Sequence, residues 1–306
     1  MAKISLFGEP LLEIASASAG ATLGPSQLGV AGDTLNTAVY LARLGHEVSF
    51  ITALGQDAYS DAIVARLEDE GVSTRAIARH PSRVPGLYAI RTDATGERYF
   101  TYWRDTSAAR DFFSLPEAAD YMRAARDSDL FYFTGISLAI LTPAHRDALL
   151  AVARGCQEHG TTVAFDGNFR PYGWASLDDA RERFDAVGRI ASVVLPTSED
   201  DDKLYGAASP PEHAARWRGL GARSVVVKNG AEGAWLLEGE GEAYCVGVDQ
   251  VIQPTDTTGA GDSFNAAFLG ALLDGHPMAG AAMKGNQLAG RVIQHRGALI
   301  AREDMP

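Results

Sequence analysis

The chain has 306 residues, 46% of them hydrophobic and 22% charged, which suits one large α/β domain or two smaller ones and excludes a disordered chain. A formal net charge of −12 argues against nucleic acid or an anionic membrane as the main partner, because both need a basic face, yet it leaves room for an anionic small molecule at local arginines. Two cysteines, Cys156 and Cys245, without C-x-x-C spacing exclude a disulfide framework and a zinc site and read as buried apolar residues in a reducing cytoplasm; seven scattered histidines offer no metal pair.

Met1–Glu13 carries neither the basic region nor the long apolar core of a signal peptide, and no apolar run reaches membrane-spanning length, so a cytoplasmic protein is expected. Lys3–Phe7 reads as a buried strand closed by Gly8-Glu9-Pro10. Ala15–Gly29 is a stretch of small residues, read as a strand pair or loop at the domain edge. Thr34–Leu44 has helical apolar spacing and stops at Gly45; Glu47–Leu54 is a strand and Ala58–Glu70 an amphipathic helix. Leu87–Thr92 and Arg98–Arg104 then flank Asp93-Ala-Thr-Gly-Glu97, a hairpin with Gly96 at its turn. With no helix between them, these strands should pair antiparallel. Together with part of 10–30 they are read as a small β lid (about 10–30 and 84–106) on a single domain spanning 1–306.

From Pro116 the rhythm is strand and helix in alternation. Helices are predicted at Pro116–Arg126, Pro143–Glu158, Leu177–Ile190 and across Glu199–Leu220; strands are predicted at Leu130–Phe133, Thr161–Phe165, Ser192–Leu195 and Ser224–Lys228. Ala234–Leu237 and Ala243–Val248 read as a late antiparallel pair, and helices at Ala260–Leu273 and Met278–Gln294 close the chain. Such alternation implies a mostly parallel sheet covered on both faces.

The most informative stretch is D-T-T-G-A-G-D-S-F-N-A-A-F-L, from Asp256 to Leu269. A glycine turn feeding a helix leaves backbone N–H groups unpaired at the positive end of the helix dipole, a ready anion site. Asp262 at its mouth reads either as a helix cap or as a general base beside a bound phosphate. Earlier, Ala31-Gly-Asp-Thr-Leu-Asn-Thr-Ala38 brings Gly32, which allows close backbone approach, together with Asp33 and Asn36, groups able to read hydroxyls. The ordinary alternative is a cap at Asp33 or Thr34. Asp166, Asn168 and Arg170 follow a predicted strand and share one side if the chain stays extended. Tyr88, Tyr102 and Arg104 lie on the lid strands; Tyr102 and Arg104 share a face, and a guanidinium flanked by aromatics suits a carboxylate. Gly135-Ile-Ser137-Leu-Ala139 falls one glycine short of a nucleophile elbow and reads as a strand-to-helix turn. No Walker-type phosphate loop is present.

Ala31–Ala38 and Asp256–Leu269, in this order, resemble the N- and C-terminal signatures of the ribokinase-like (PfkB) carbohydrate kinases, and the resemblance runs from Gly8 to about Ala298. Thr34 departs from it, standing where Gly, Ala or Pro is usual. The resemblance implies a three-layer α/β domain with a mostly parallel central sheet and a small β-sheet lid. It makes Asp262 the catalytic base and Gly259, Ala260 and Gly261 the anion hole, with Asp256 and Thr258 near a monovalent cation such as K+. Asp166–Arg170 is similar to the family's D-x-N-x-R element, in which Arg170 bridges substrate and γ-phosphate. Lys228–Gly233 is similar to its K-x-G-x-x-G element, which implies Lys228 at the ATP phosphates and Gly230 and Gly233 at the ribose. Thr197 and Asp200 stand where the family carries N-x-x-E, so a water-mediated Mg2+ role falls to Asp200, with Glu199 as a competitor. Asn286 is implied near the adenine. Tyr102–Arg110 and Gly32–Tyr40 resemble the 2-keto-3-deoxygluconate kinases within the family. The expected activity is therefore ATP-dependent phosphorylation of the terminal hydroxyl of that acid sugar, with a fructokinase or a non-catalytic sugar sensor as alternatives. Apolar and aromatic residues on both faces of Leu87–Arg104 also lead us to expect a homodimer or larger homo-oligomer.

Overall fold

In the computed structural model, which describes residues 1–16, 23–93 and 98–306, the chain opens with β1 (Lys3–Phe7), β2 (Leu11–Ser16), β3 (Ser26–Ala31), α1 (Asp33–Arg43) and β4 (Glu47–Leu54). It continues through α2 (Ala58–Asp69), β5 (Ile77–Arg79), β6 (Gly86–Thr92), β7 (Arg98–Trp103), α3 (Ala118–Ala125), β8 (Leu130–Thr134) and α4 (Gly135–Ala139). Then come α5 (Pro143–His159), β9 (Thr162–Asp166), α6 (Leu177–Gly188), β10 (Val193–Val194), α7 (Ser198–Tyr205) and α8 (Pro210–Leu220). The last elements are β11 (Ser224–Lys228), β12 (Ala234–Glu238), β13 (Tyr244–Val246), α9 (Ala260–Leu273) and α10 (Met278–Val292).

Among the described residues the main sheet has the order β13-β12-β11-β10-β9-β8-β1-β4-β5. It is parallel from β5 to β11, and β12 and β13 add antiparallel at the far edge. Its central strands lack polar alternation because both faces are covered. In β8, Phe131 and Phe133 enter one core with Phe165, Phe184 and Trp217, while Leu130 and Tyr132 enter the other with Leu35, Phe50, Phe264 and Phe268. Strand order reverses beside β1, where the chain first builds outward to β4 and β5 and later outward to β8. The carboxyl ends of strands at such a reversal are where open α/β sheets bind ligands.

The smaller sheet has the order β3-β2-β6-β7, with β2 and β6 parallel and the outer pairs antiparallel. This is the expected lid architecture, with the predicted antiparallel pairing of β6 and β7. The sequence reading missed the start of β2 at Leu11 and all of β5, a three-residue edge strand. The expected turn at Gly96 and part of the Ala15–Gly29 stretch fall at 94–97 and 17–22, outside the described residues. Cys156 is buried as expected, but Cys245 is exposed, because β13 is an edge strand with a half-covered face. No helix among the described residues is long and apolar enough to cross a membrane.

Candidate active site

Helix α9 is capped by Gly259, whose φ of 76° lies in the left-handed region, and a β-carbon there would stand 2.8 Å from the backbone of Ala298. Only glycine meets both demands. Asp262 is the third residue of the helix, not its cap, which removes the ordinary reading of that carboxylate. Gly261 and Asp262 lie in the first turn, where N–H groups have no intrahelical acceptor. The N–H of Ala260 turns to Thr257 O at 3.2 Å, so the implied hole draws less on Ala260 than on its two glycine neighbours.

The carboxylate of Asp262 meets the start of α1. Asn36 Nδ2 donates to its Oδ2 at 2.8 Å, and the Thr37 hydroxyl donates to its carbonyl at 3.4 Å. Helix α1 is capped by Gly32 at φ 151°, with no side-chain cap; the alternative reading of a cap at Asp33 or Thr34 does not hold, because the Asp33 side chain is used elsewhere. Asp33 Oδ2 accepts from the Thr134 hydroxyl (2.6 Å) and from Asn168 Nδ2 (2.9 Å). The side-chain oxygen of Asn36, Oδ1, is buried without a partner among the described residues. Burial, then the Asp33 charge, pushes the Asp262 carboxyl up to about 8, against the opposing pull of the Asn36 hydrogen bond.

Beneath lies a buried network. Lys228 Nζ, at the end of β11, donates to Asp166 Oδ1 (3.0 Å) and Asn265 Oδ1 (3.1 Å), while Asn265 Nδ2 donates to Asp166 Oδ2 (2.7 Å) and to the Tyr132 hydroxyl (3.1 Å). Burial raises the Asp166 carboxyl despite its lysine partner. Lys228 Nζ is also 3.6 Å from where a Gly261 β-carbon would be, so this amine sits directly under the first turn of α9.

The extended run expected at Asp166–Arg170 is broken at Asn168, whose φ of 33° makes it the one non-glycine residue with positive φ among those described. The Asn168 N–H folds back to Asp166 Oδ1 at 3.2 Å. The three side chains therefore part company: Asp166 points to Lys228, Asn168 to Asp33, and the exposed Arg170 to Asp200 Oδ2 at 2.8 Å. Asp200 is buried and its second oxygen accepts from Lys203 at 3.1 Å, whereas Glu199 is exposed. Thr197 bridges to Lys228 at the strand ends. Gly230 and Gly233 have φ of 54° and 96°, closing the tight turn after β11. Asn286 Nδ2 donates to Val246 O and Gly247 O, both at 3.1 Å, and so ties α10 to the β13 edge. Asp256 accepts the N–H of Thr258 and of Gly297, each at 2.8 Å, pinning the loop before α9 to the C-terminal segment. Among the described residues, no group of three or more His, Cys, Asp or Glu side chains is placed to hold a metal.

On the lid, Tyr88 and Tyr102 face each other across β6 and β7 with ring centroids 5.8 Å apart, and the Tyr88 hydroxyl donates to Glu13. Arg104 lies 5.8 Å over the Tyr102 ring, on the expected shared face. Its guanidinium, however, is buried and already paired: Nε donates to Glu9 Oε2 at 2.9 Å, and Nη2 reaches the same oxygen. Sequence reasoning missed Glu9, Thr134 and Asn265. Asn265 falls inside the quoted signature, but the other two carry no local signal.

Residues 7–305 match the pfkB family carbohydrate kinase domain. The chain is 40% identical to 2-dehydro-3-deoxygluconokinase of Dickeya dadantii, covering 99% of this chain and 98% of that one, and 38% identical to the enzyme of the same name from Escherichia coli K12, covering 99% of each. In fold it is similar to a putative ribokinase II from E. coli solved with ATP and Mg2+, with a TM-score of 0.85 at 22% identity over 100% of this chain and 96% of that one. The chain belongs to the pfkB family of carbohydrate kinases.

Proposed function

We propose that this pfkB-family protein transfers the γ-phosphoryl group of ATP to the terminal primary hydroxyl of 2-keto-3-deoxygluconate (2-dehydro-3-deoxygluconate), giving 2-keto-3-deoxy-6-phosphogluconate and ADP. The observation that carries the reaction is Asp262, a carboxylate held by Asn36 in the first turn of α9. There it can take the hydroxyl proton as the new O–P bond forms and the bond to the ADP leaving oxygen breaks. The N–H groups of Gly259 and Gly261 face the migrating charge, with Lys228 beneath them and Arg170 at the rim. Lys228 has three donors, two of them used among the described residues, and we read the third as the donor to a phosphate oxygen. Gly32, Asp33, Asn36, Asp166 and Asn168 line the sugar side. Gly230, Gly233, Thr197 and Asn286 border the nucleotide side.

Mg2+ fits this donor set as an ion carried on the ATP phosphates, where it would neutralise developing charge, with Asp200 the carboxylate that would hold it through water. Asp256 and Thr258, on the loop before α9, are the residues we read beside a K+ ion. The acid sugar is supported by the shared name of the full-length relatives and by Arg104, a cation at the lid root within the field of Asp33. We read the four-stranded sheet as a lid of the one kinase domain, closing to exclude water. Its aromatic faces support pairing of two lids in a homodimer, and the protein acts in the cytoplasm. An assay of ADP release tests the reading: the acid sugar should elicit turnover, whereas binding without ADP release would leave a sugar sensor.

A further inference from the structure

We infer that Glu9 is a positioning residue for substrate selection, holding Arg104 at the root of the lid so that its remaining edge meets the acid's carboxylate. The inference rests on the reading of Arg104 given above. Glu9 lies in the link between β1 of the main sheet and β2 of the lid, and Arg104 is the first residue beyond β7, where the chain leaves the lid. The other two crossings converge on the same residue, one on its carboxylate and one on its backbone. A β-carbon on Gly86, at the start of β6, would stand 2.7 Å from Glu9 Oε1 and 3.0 Å from the Arg104 β-carbon. One on Gly32, just after β3, would stand 2.6 Å from the Glu9 carbonyl. All four passages between sheet and lid thus meet at Glu9.

Stability alone does not account for this arrangement. The side chains of Arg104 and Glu9 are 10% and 1% exposed, and Glu9 Oε1 is buried with no hydrogen-bond partner among the described residues. Burying an ion pair costs desolvation that its attraction barely offsets, and an orphaned carboxylate oxygen adds to that cost. What the pair does provide is direction. Nε and one N–H of Nη2 go to Glu9 Oε2, which fixes the guanidinium plane and leaves Nη1 and the second N–H of Nη2 for another acceptor. A guanidinium fixed in advance loses less freedom on gripping a carboxylate.

The test compares Glu9 and Arg104 variants by steady-state kinetics. Glu9→Ala is expected to raise KM for 2-keto-3-deoxygluconate about tenfold, with kcat within about threefold of wild type and KM for ATP unchanged. Glu9→Gln keeps an oxygen acceptor in the same volume and should stay within about threefold of wild type. Glu9→Asp withdraws the carboxylate by one methylene and should follow Glu9→Ala, which covers the case where the alanine variant does not fold. In an Arg104→Ala background, Glu9→Ala should add nothing further. If Arg104→Ala raises the acid's KM and Glu9→Ala and Glu9→Asp do not, Glu9 is no positioning residue, though the carboxylate reading stands. If Glu9→Ala impairs acid and ATP alike and Glu9→Gln fails to rescue, the role is merely structural and the inference falls. If Arg104→Ala itself leaves the acid's KM unchanged, the carboxylate reading fails first.

Discussion

The floor of the site and its lid are built on opposite terms. On the floor, Lys228, Asp166 and Asn265 satisfy one another in the interior, and Asp262 and Asp33 are each held by neighbours from another element. The lid instead leaves Phe100, Tyr102 and Trp103 about half exposed and buries one ion pair at its root. The floor is ready for phosphoryl chemistry before any ligand arrives, whereas the lid has aromatic surface still to cover. Chemistry and selectivity should therefore fail separately when each region is damaged.

Asp262→Asn should show the largest effect, lowering turnover by about two to four orders of magnitude while ATP binding measured by calorimetry persists. The same residue shapes pH behaviour. Its carboxyl titrates at about 8 in the fold and near 3.9 when unfolded, so between those values the folded protein binds the extra proton and stability falls as pH rises. Below both values the effect is absent, and above about 8 it is complete. Asp262→Asn should thus gain in denaturation midpoint over wild type more at pH 8 than at pH 5. In wild type kcat/KM should climb with pH to a break near 8.

Lys228→Met strips the buried Asp166 carboxylate of its cation and should cost about 3–5 kcal/mol in urea unfolding. Arg104→Ala should lower kcat/KM for the acid sugar by roughly 2–5 kcal/mol with little change in KM for ATP, because only the lid is damaged. The smallest effect concerns the exposed aromatic faces: light scattering at micromolar concentration should report a dimer, and a Trp103→Glu, Phe100→Glu double variant should shift it toward monomer without abolishing turnover. A wild-type monomer would remove the paired-lid reading.

The sequence was most legible where structure is local. β4, β11 and α9 begin and end at the predicted residues, because apolar runs bounded by glycine or polar turns leave little choice. Helix starts were less so: the cap of α1 is Gly32, since the Asp33 carboxylate is drawn to Thr134, 101 residues away. The straight run expected through Asp166–Arg170 failed at Asn168, whose left-handed turn is stabilised by contacts from α1 that no local pattern encodes. Lys228 was legible as the closing residue of β11, but its burial against Asp166 and Asn265 was not. Glu9 is the clearest gap. Between Gly8 and Pro10 it reads as a turn residue, and its partner lies 95 positions away, just past the last lid strand.

The most direct measurement is kcat/KM of the purified protein with ATP on 2-keto-3-deoxygluconate, its galactonate-derived epimer and fructose, in wild type and Arg104→Ala. The account predicts that wild type prefers an acid sugar over fructose by about two orders of magnitude or more, and that Arg104→Ala erodes the preference by weakening the acid alone. A wild type that prefers fructose, or an Arg104→Ala variant that loses both sugars equally, would contradict it.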